Sequence, residues 1–159
     1  MTKILREFFA MDNIEQLQNE LREYLISIIP VPWTKICYYA ECAKGSSSFW
    51  YGFIEKETGV VSTYEFFFNR YDNYAHNRIE VTVELLDYAE KLYKEYIDTF
   101  SKEKAWQTMV YIINEDRTID IDYSYEKPQG DIFFVRDNVM MKYLGSEYVD
   151  ITGKYPSLE

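Results

Sequence analysis

Residues 34–54 read TKICYYAECAKGSSSFWYGFI, and this stretch predicts two β-strands joined by a turn. Residues 34–42 alternate between two sets of side chains, which is the period of a strand. Residues 44–48 combine glycine with serine as turns do, and residues 49–54 are rich in aromatic side chains. After a second turn at residues 57–59, the β-branched and aromatic run 60–67 predicts a third strand. Together these segments indicate an antiparallel meander.

A helix is predicted on each side of these strands. Residues 12–29 carry apolar side chains at helical spacing after the capping-box pattern of residues 12–15, and Pro30 ends the helix. Residues 79–100 predict a second, long amphipathic helix after a cap at Asn77. Its apolar stripe is expected to consist of Ile79, Val83, Leu86, Ala89, Tyr93, Ile97 and Phe100.

The last part of the chain predicts a hairpin and a closing segment. Residues 106–113 and 118–125 form strands around the turn 114–117, and residues 131–143 could close the core as a short helix. The sum is an α+β fold, an antiparallel β-meander sheet of about five strands with helices packed on one face. We expect a single domain over residues 1–159, comprising an N-terminal extension 1–11, a body 12–145 and a C-terminal tail 146–159.

Composition narrows the possible functions. The chain has 17 Lys and Arg against 27 Asp and Glu, a net charge of −10, which argues against direct nucleic-acid binding. Its hydrophobic fraction of 47% is too high for a disordered chain. Sixteen tyrosines favour a protein-binding surface, because tyrosine offers a large contact area at low entropic cost. The two cysteines and the absence of a recognisable signal or membrane segment predict a cytoplasmic protein.

The most site-like motif is Asp120-Ile121-Asp122. On a strand, the two aspartates project from the same face. Three interpretations remain open: a solvated strand face, a surface for a basic partner, or a Mg²⁺ site in a small metal-dependent enzyme. His76 is the single histidine and lies in a predicted loop without a catalytic companion. The sequence also lacks a Ser-His-Asp order, a P-loop and the companions of a zinc site, so we expect no catalytic residues, no cofactor and no metal, with the Mg²⁺ site kept as an alternative.

Three segments, in this order, resemble a known family. They are IPVPW at 29–33 followed by KICYYAE at 35–41, AWQT at 105–108 leading to IDIDY at 119–123, and KYLG at 142–145. The set resembles the YezG-like family of bacterial immunity proteins, which are antitoxins of polymorphic secreted toxins. The resemblance covers residues 12–145. It implies a cytoplasmic protein that binds and neutralises the C-terminal domain of a cognate toxin, often a nuclease, without catalysis of its own.

The resulting hypothesis is an immunity protein against a secreted or contact-dependent toxin, whose partner is a basic toxin domain. The alternatives are a small metal-dependent enzyme using Asp120 and Asp122, or an acidic protein–protein adaptor. Charge and expected exposure select the candidate toxin-binding residues. The acidic candidates are Asp120, Asp122, Glu115, Asp116, Glu84 and Asp87, and the aromatic candidates are Tyr38, Tyr64 and Tyr71.

Overall fold

The computed structural model describes residues 3–43, 45–63 and 76–145, with side chains from Asp12 onward. Tyr64, Tyr71 and the predicted strand residues 64–67 lie outside these ranges. The helices are α1 (Lys3–Ile28), α2 (Arg78–Phe100) and α3 (Ile132–Leu144), and a short 3₁₀ turn spans Lys102–Lys104. The strands are β1 (Trp33–Ala43), β2 (Ser46–Glu55), β3 (Val61–Thr63), β4 (Thr108–Asn114) and β5 (Ile119–Ser124).

The five strands form one antiparallel sheet in the order β3-β2-β1-β4-β5. β1 is the central strand, and its Tyr38 is level with Tyr51 of β2 and Tyr111 of β4. The α+β class and the five-stranded antiparallel sheet predicted from the sequence are confirmed. The register also places a row of tyrosines across the three central strands, on a single face of the sheet.

The two long helices pack on the face that carries this tyrosine row. The Tyr38 hydroxyl donates a hydrogen bond to the Leu85 carbonyl of α2 at 2.6 Å, and the Tyr111 hydroxyl donates to the Gln18 carbonyl of α1 at 2.5 Å. Buried hydroxyls need such partners. These bonds therefore fix both helices against the sheet as well as satisfying the phenols.

The short helix α3 lies on the opposite face, so the prediction that the helices pack on one face is wrong, and the sheet is enclosed between two helical layers. Its buried residues Met140 and Leu144 approach Gly52 of β2, and the Tyr143 hydroxyl donates to the Asp122 carboxylate at 2.7 Å. The prediction that residues 131–143 close the core as a short helix is thus confirmed. Because both faces are covered, the five consecutive residues 36–40 of β1 are all buried.

Two further predictions about the helices need correction. α1 begins at Lys3 and not at Asp12, because residues 1–11 contain neither glycine nor proline to interrupt a helix. In α2, the Asn77 cap is confirmed, but Ile79 and Val83 are 73% and 58% exposed. The predicted stripe is therefore correct for Ala89, which is buried, and for Leu86 and Tyr93, which pack against the core, but wrong at its first residues. The buried face of α2 consists of Val81, Leu85, Ala89 and Leu92.

The docking of α3 predicts that Gly52→Ala destabilises the protein. An added Cβ would lie 3.0 Å from the Ser62 carbonyl oxygen and 3.1 Å from Leu144 Cδ1. We expect a loss of about 1–3 kcal/mol, the usual cost of overpacking a filled core. Urea unfolding measures it, with Ser48→Ala on the same face of β2 as the control. Equal midpoints for Gly52→Ala and the wild type would contradict the close packing of α3.

Candidate protein-binding surface

The two aspartates of β5 share a face, as the strand pattern predicts, and both are exposed. The Asp120 carboxylate accepts a hydrogen bond from Asn114 Nδ2 at 2.8 Å, and Asp122 accepts from Tyr143. Burial, followed by this bond to Asp122, raises the pKa of Tyr143 to about 12. Within the described part of the chain, no group of three or more His, Cys, Asp or Glu side chains is placed to hold a metal ion.

The next two acidic candidates lie in the turn between β4 and β5. Glu115 forms an ion pair with Lys56 at 2.7 Å. The Asp116 carboxylate accepts hydrogen bonds from the hydroxyl and the backbone N–H of Thr118, at 2.6 and 3.1 Å. These two bonds lower the pKa of Asp116. Both carboxylates are exposed, but each already has an internal partner.

The last two acidic candidates lie on α2, away from the hairpin. Glu84 is exposed, and Asp87 forms an ion pair with Lys91 at 2.8 Å, as the i,i+4 spacing predicts. Asp120 and Asp122 point to the face of the sheet that carries α3, whereas α2 lies on the opposite face. The structure therefore does not bring the six acidic candidates together on one surface.

Tyr38 was wrongly predicted to be an aromatic anchor. Its side chain is 0% exposed, and its hydroxyl bonds the Leu85 carbonyl. A residue without accessible surface cannot contact a partner that docks on the folded protein. Its neighbour Tyr39 is equally enclosed, at 2% exposure, because α3 covers the other face. Alternation along β1 therefore does not separate a solvent face from a core face.

An acidic surface that the sequence analysis missed runs along α1. Its exposed carboxylates belong to Asp12, Glu15, Glu20 and Glu23, which we call the α1 ridge. Arg22 forms an ion pair with Glu23 at 3.1 Å, and Lys91 and Lys94 of α2 line a cavity with Glu20. Burial raises the pKa of Tyr88 on α2, and the charges of Glu20 and Glu84 raise it further. The negative field of the ridge therefore extends to α2.

A cleft of about 690 Å³ lies where the ridge meets the end of α2 and the edge strand β5. We call it the aromatic cleft. Ring centroids are 4.8 Å apart for Tyr96 and Phe100, and 5.4 Å apart for Tyr96 and Tyr123. Its described lining comprises Asp12, Ile14, Glu15, Gln18, Asn19, Tyr96, Phe100, Ile119 and Tyr123.

The residues that form this cleft lie in three segments that are far apart in the sequence. Tyr96 and Phe100 have i,i+4 spacing on a helix, and Tyr123 lies on a strand more than twenty residues later. Asp12 and Glu15 were interpreted as a helix cap, which assigned their carboxylates to local structure. Nothing in the local pattern indicates that these three segments meet.

The cysteines are both free and buried on β1, on opposite faces as their spacing predicts. Burial raises the pKa of Cys42 to about 12 and that of Cys37 further. Nucleophilic cysteines need a lowered pKa, so these thiols have the opposite property. His76 is exposed.

The segments that carried the family resemblance have structural roles. Trp106 is 1% exposed and packs between Tyr93 and Tyr123. Leu144 is buried under the sheet, and Gly145 ends α3 with a positive φ of 95°, a conformation that favours glycine. No helix in the described part of the chain combines the length and apolar character needed to cross a membrane.

Comparison with known proteins identifies the family. No curated protein matches the chain significantly. A family model described as immunity protein YezG-like matches residues 14–148, which is most of the chain and includes all three segments named above. The chain therefore belongs to the YezG-like immunity protein family.

Proposed function

We propose that this immunity protein neutralises the C-terminal toxic domain of a cognate secreted or contact-dependent toxin by binding it in the cytoplasm. The observation that carries the proposal is the family match over residues 14–148. The family supports an immunity function and a toxin partner. The toxin's chemistry and the compartment are our inference from this family together with the charge of the chain.

The charge supports a basic toxin, and a nuclease above all. An enzyme that cuts nucleic acid presents a cationic surface to phosphate. A chain of net charge −10 with an exposed acidic ridge on α1 is electrostatically complementary to such a surface. Complementary fields accelerate encounter by one to three orders of magnitude at low salt. Fast encounter is useful to an inhibitor that must intercept a toxin as it arrives.

The proposed mechanism is occlusion, with one immunity protein holding one toxin domain. It assigns no catalytic step to this chain. Asp120 and Asp122, the candidates for the alternative metal-dependent enzyme, hydrogen-bond Asn114 and Tyr143. A divalent ion that raised the melting temperature in a dose-dependent way would favour that alternative, since a ligand stabilises the state that it binds.

Growth rescue tests the proposal in cells. The probe is the C-terminal domain of the secreted protein encoded beside this gene, expressed from an inducible promoter. We expect growth arrest with the toxin domain alone and restored growth when this protein is co-expressed. An unrelated acidic protein of similar size is the control for charge alone. Persistent arrest, with both proteins folded and present in equal amounts, would contradict the proposal.

A further inference from the structure

The described surface offers several exposed apolar patches, and they differ in the charges around them. A cavity at the end of the β1–β2 hairpin, of about 690 Å³, has Lys94 and Lys102 on its rim. The exposed rings of Phe133 and Phe134 adjoin Arg136, whose guanidinium lies 6.0 Å from the Phe133 ring centroid. The first patch also contains Glu90, but the cations at both patches make them less favourable to a basic partner than a surface lined by carboxylates alone.

The aromatic cleft has the opposite character. Among its described lining residues, the charged side chains are the carboxylates of Asp12 and Glu15, without a lysine or arginine. We propose that the aromatic cleft is the docking site for the toxin, and that it receives an arginine or lysine side chain projecting from the basic toxin domain. This inference rests on the proposed function and specifies the surface that performs it.

The floor of the cleft suits a cationic side chain where a ring face is accessible, because the face of an aromatic ring is negative. An arginine or lysine within about 6 Å of an aromatic centroid is attracted by the ring quadrupole. The Tyr96 ring centroid lies 4.8 Å from that of Phe100 and 5.4 Å from that of Tyr123. Phe100 is 40% exposed, so its surface is available to a partner. The aliphatic stem of the incoming side chain would cover it.

The rim supplies the counter-charge. Neither Asp12 nor Glu15 forms an ion pair or side-chain hydrogen bond with the described residues, in contrast to Asp116, Asp120 and Asp122. A carboxylate without an internal partner loses no intramolecular bond when it pairs with an incoming cation. Charge-assisted bonds of this kind are stronger than neutral ones.

The cleft is held in shape before any partner arrives. The hydroxyls of Tyr96 and Tyr125 are 2.6 Å apart, which ties α2 to the residue after β5. Gln18 of α1 donates a hydrogen bond to the Tyr123 hydroxyl at 3.5 Å, and Trp106 stacks behind Tyr123 with ring centroids 5.9 Å apart. A preformed aromatic site avoids much of the ordering cost of association. Such sites are typical of interface hot spots.

The α1 ridge continues from this rim, since Asp12 and Glu15 belong to both. The ridge would guide a basic domain towards α1, and the cleft would then retain it. Charges at the edge of an interface mainly set the association rate, whereas buried anchors mainly set the dissociation rate. The inference therefore predicts different kinetic effects for substitutions in the two places.

Calorimetric titration of the same toxin domain with paired variants tests the cleft. Phe100→Ala removes the exposed ring of the cleft, and Phe134→Ala removes a similarly exposed ring on the other face of the sheet. We expect Phe100→Ala to raise the dissociation constant about tenfold or more, mainly through faster dissociation. Glu15→Gln should raise the dissociation constant several-fold. Phe134→Ala should leave it unchanged within about twofold.

The outcomes separate the cleft from the proposed function. If the wild-type protein does not bind the toxin domain, the proposed function fails. If the wild type binds and all three variants bind equally well, the toxin docks elsewhere and the cleft inference is overturned. If Phe134→Ala is the variant that weakens binding, the contact surface lies on the side of α3. Thermal unfolding of each variant confirms that a loss of binding is not a loss of folding.

Discussion

Neutralising the α1 ridge is expected to slow association with the toxin domain about tenfold at low salt. The variant replaces Asp12 with Asn and Glu15, Glu20 and Glu23 with Gln, which removes charge while keeping the size of each side chain. The effect follows from the position of these four exposed carboxylates along one helix. Stopped-flow fluorescence at two salt concentrations measures it. The difference between variant and wild type should shrink as salt rises, because counterions screen exposed charges.

A matched variant on the hairpin is the control for net charge. It replaces Asp116, Asp120 and Asp122 with Asn and Glu115 with Gln, so that it too removes four negative charges. The assignment of these four residues as toxin contacts remains a prediction from the sequence. If α1 faces the toxin, the hairpin variant should slow association by no more than about threefold, through the long-range field alone. A larger effect of the hairpin variant would move the binding surface to β5 and its turn.

Trp106→Ala is expected to destabilise the fold by about 3–5 kcal/mol. The indole is 1% exposed, with ring centroids 5.3 Å from Tyr93 of α2 and 5.9 Å from Tyr123 of β5. Its removal leaves a cavity between the helical layer and the sheet, and it also takes away the support behind the aromatic cleft. Denaturant unfolding measures the loss.

Trp33→Ala is the comparison for Trp106, since Trp33 is partly exposed at the start of β1. We expect a smaller loss there, because fewer contacts disappear and solvent fills the space. Trp106→Phe should recover part of the stability by filling some of the cavity. A loss below about 1 kcal/mol for Trp106→Ala would contradict its role as a core residue.

The secondary structure could be predicted where its cause is local. Asn77 caps α2 because its side-chain oxygen accepts hydrogen bonds from the N–H groups of Ile79 and Glu80, at 2.8 and 3.2 Å. The turn 114–117 closes through the N–H of Arg117 and the carbonyl of Asn114, with Arg117 at a φ of 69°. Residues a few positions apart determine both features, so the sequence pattern was sufficient.

The burial of particular faces could not be predicted in the same way. α2 carries apolar residues on more than one side, and contact with α1 and the sheet determines that Val81 and Leu85 are buried while Ile79 and Val83 are not. The alternation of side chains along β1 led to the prediction that Tyr38 lies on an exposed face of the sheet. Its face of the sheet is covered by the helix that carries Leu85, and α3 covers the other face, so neither face of β1 is exposed. Both errors come from tertiary contacts that override a local period.

The candidate site was the least predictable part. Its aromatic and acidic members come from α1, α2 and β5, and each has an adequate local explanation as core, helix surface or cap. The family resemblance indicated the kind of partner, whereas the acidic composition indicated the sign of its charge. Neither gives the position of the contact surface, because that depends on how distant segments pack.

Titration of the purified toxin domain with this protein, with toxin activity measured at each point, tests the central claim most directly. Neutralisation by binding predicts that activity falls linearly and vanishes at one immunity protein per toxin domain, with a calorimetric stoichiometry of one. Loss of activity at a small fraction of that ratio would mean that the protein acts repeatedly, as an enzyme does. Full toxin activity in the presence of excess protein would equally contradict the account.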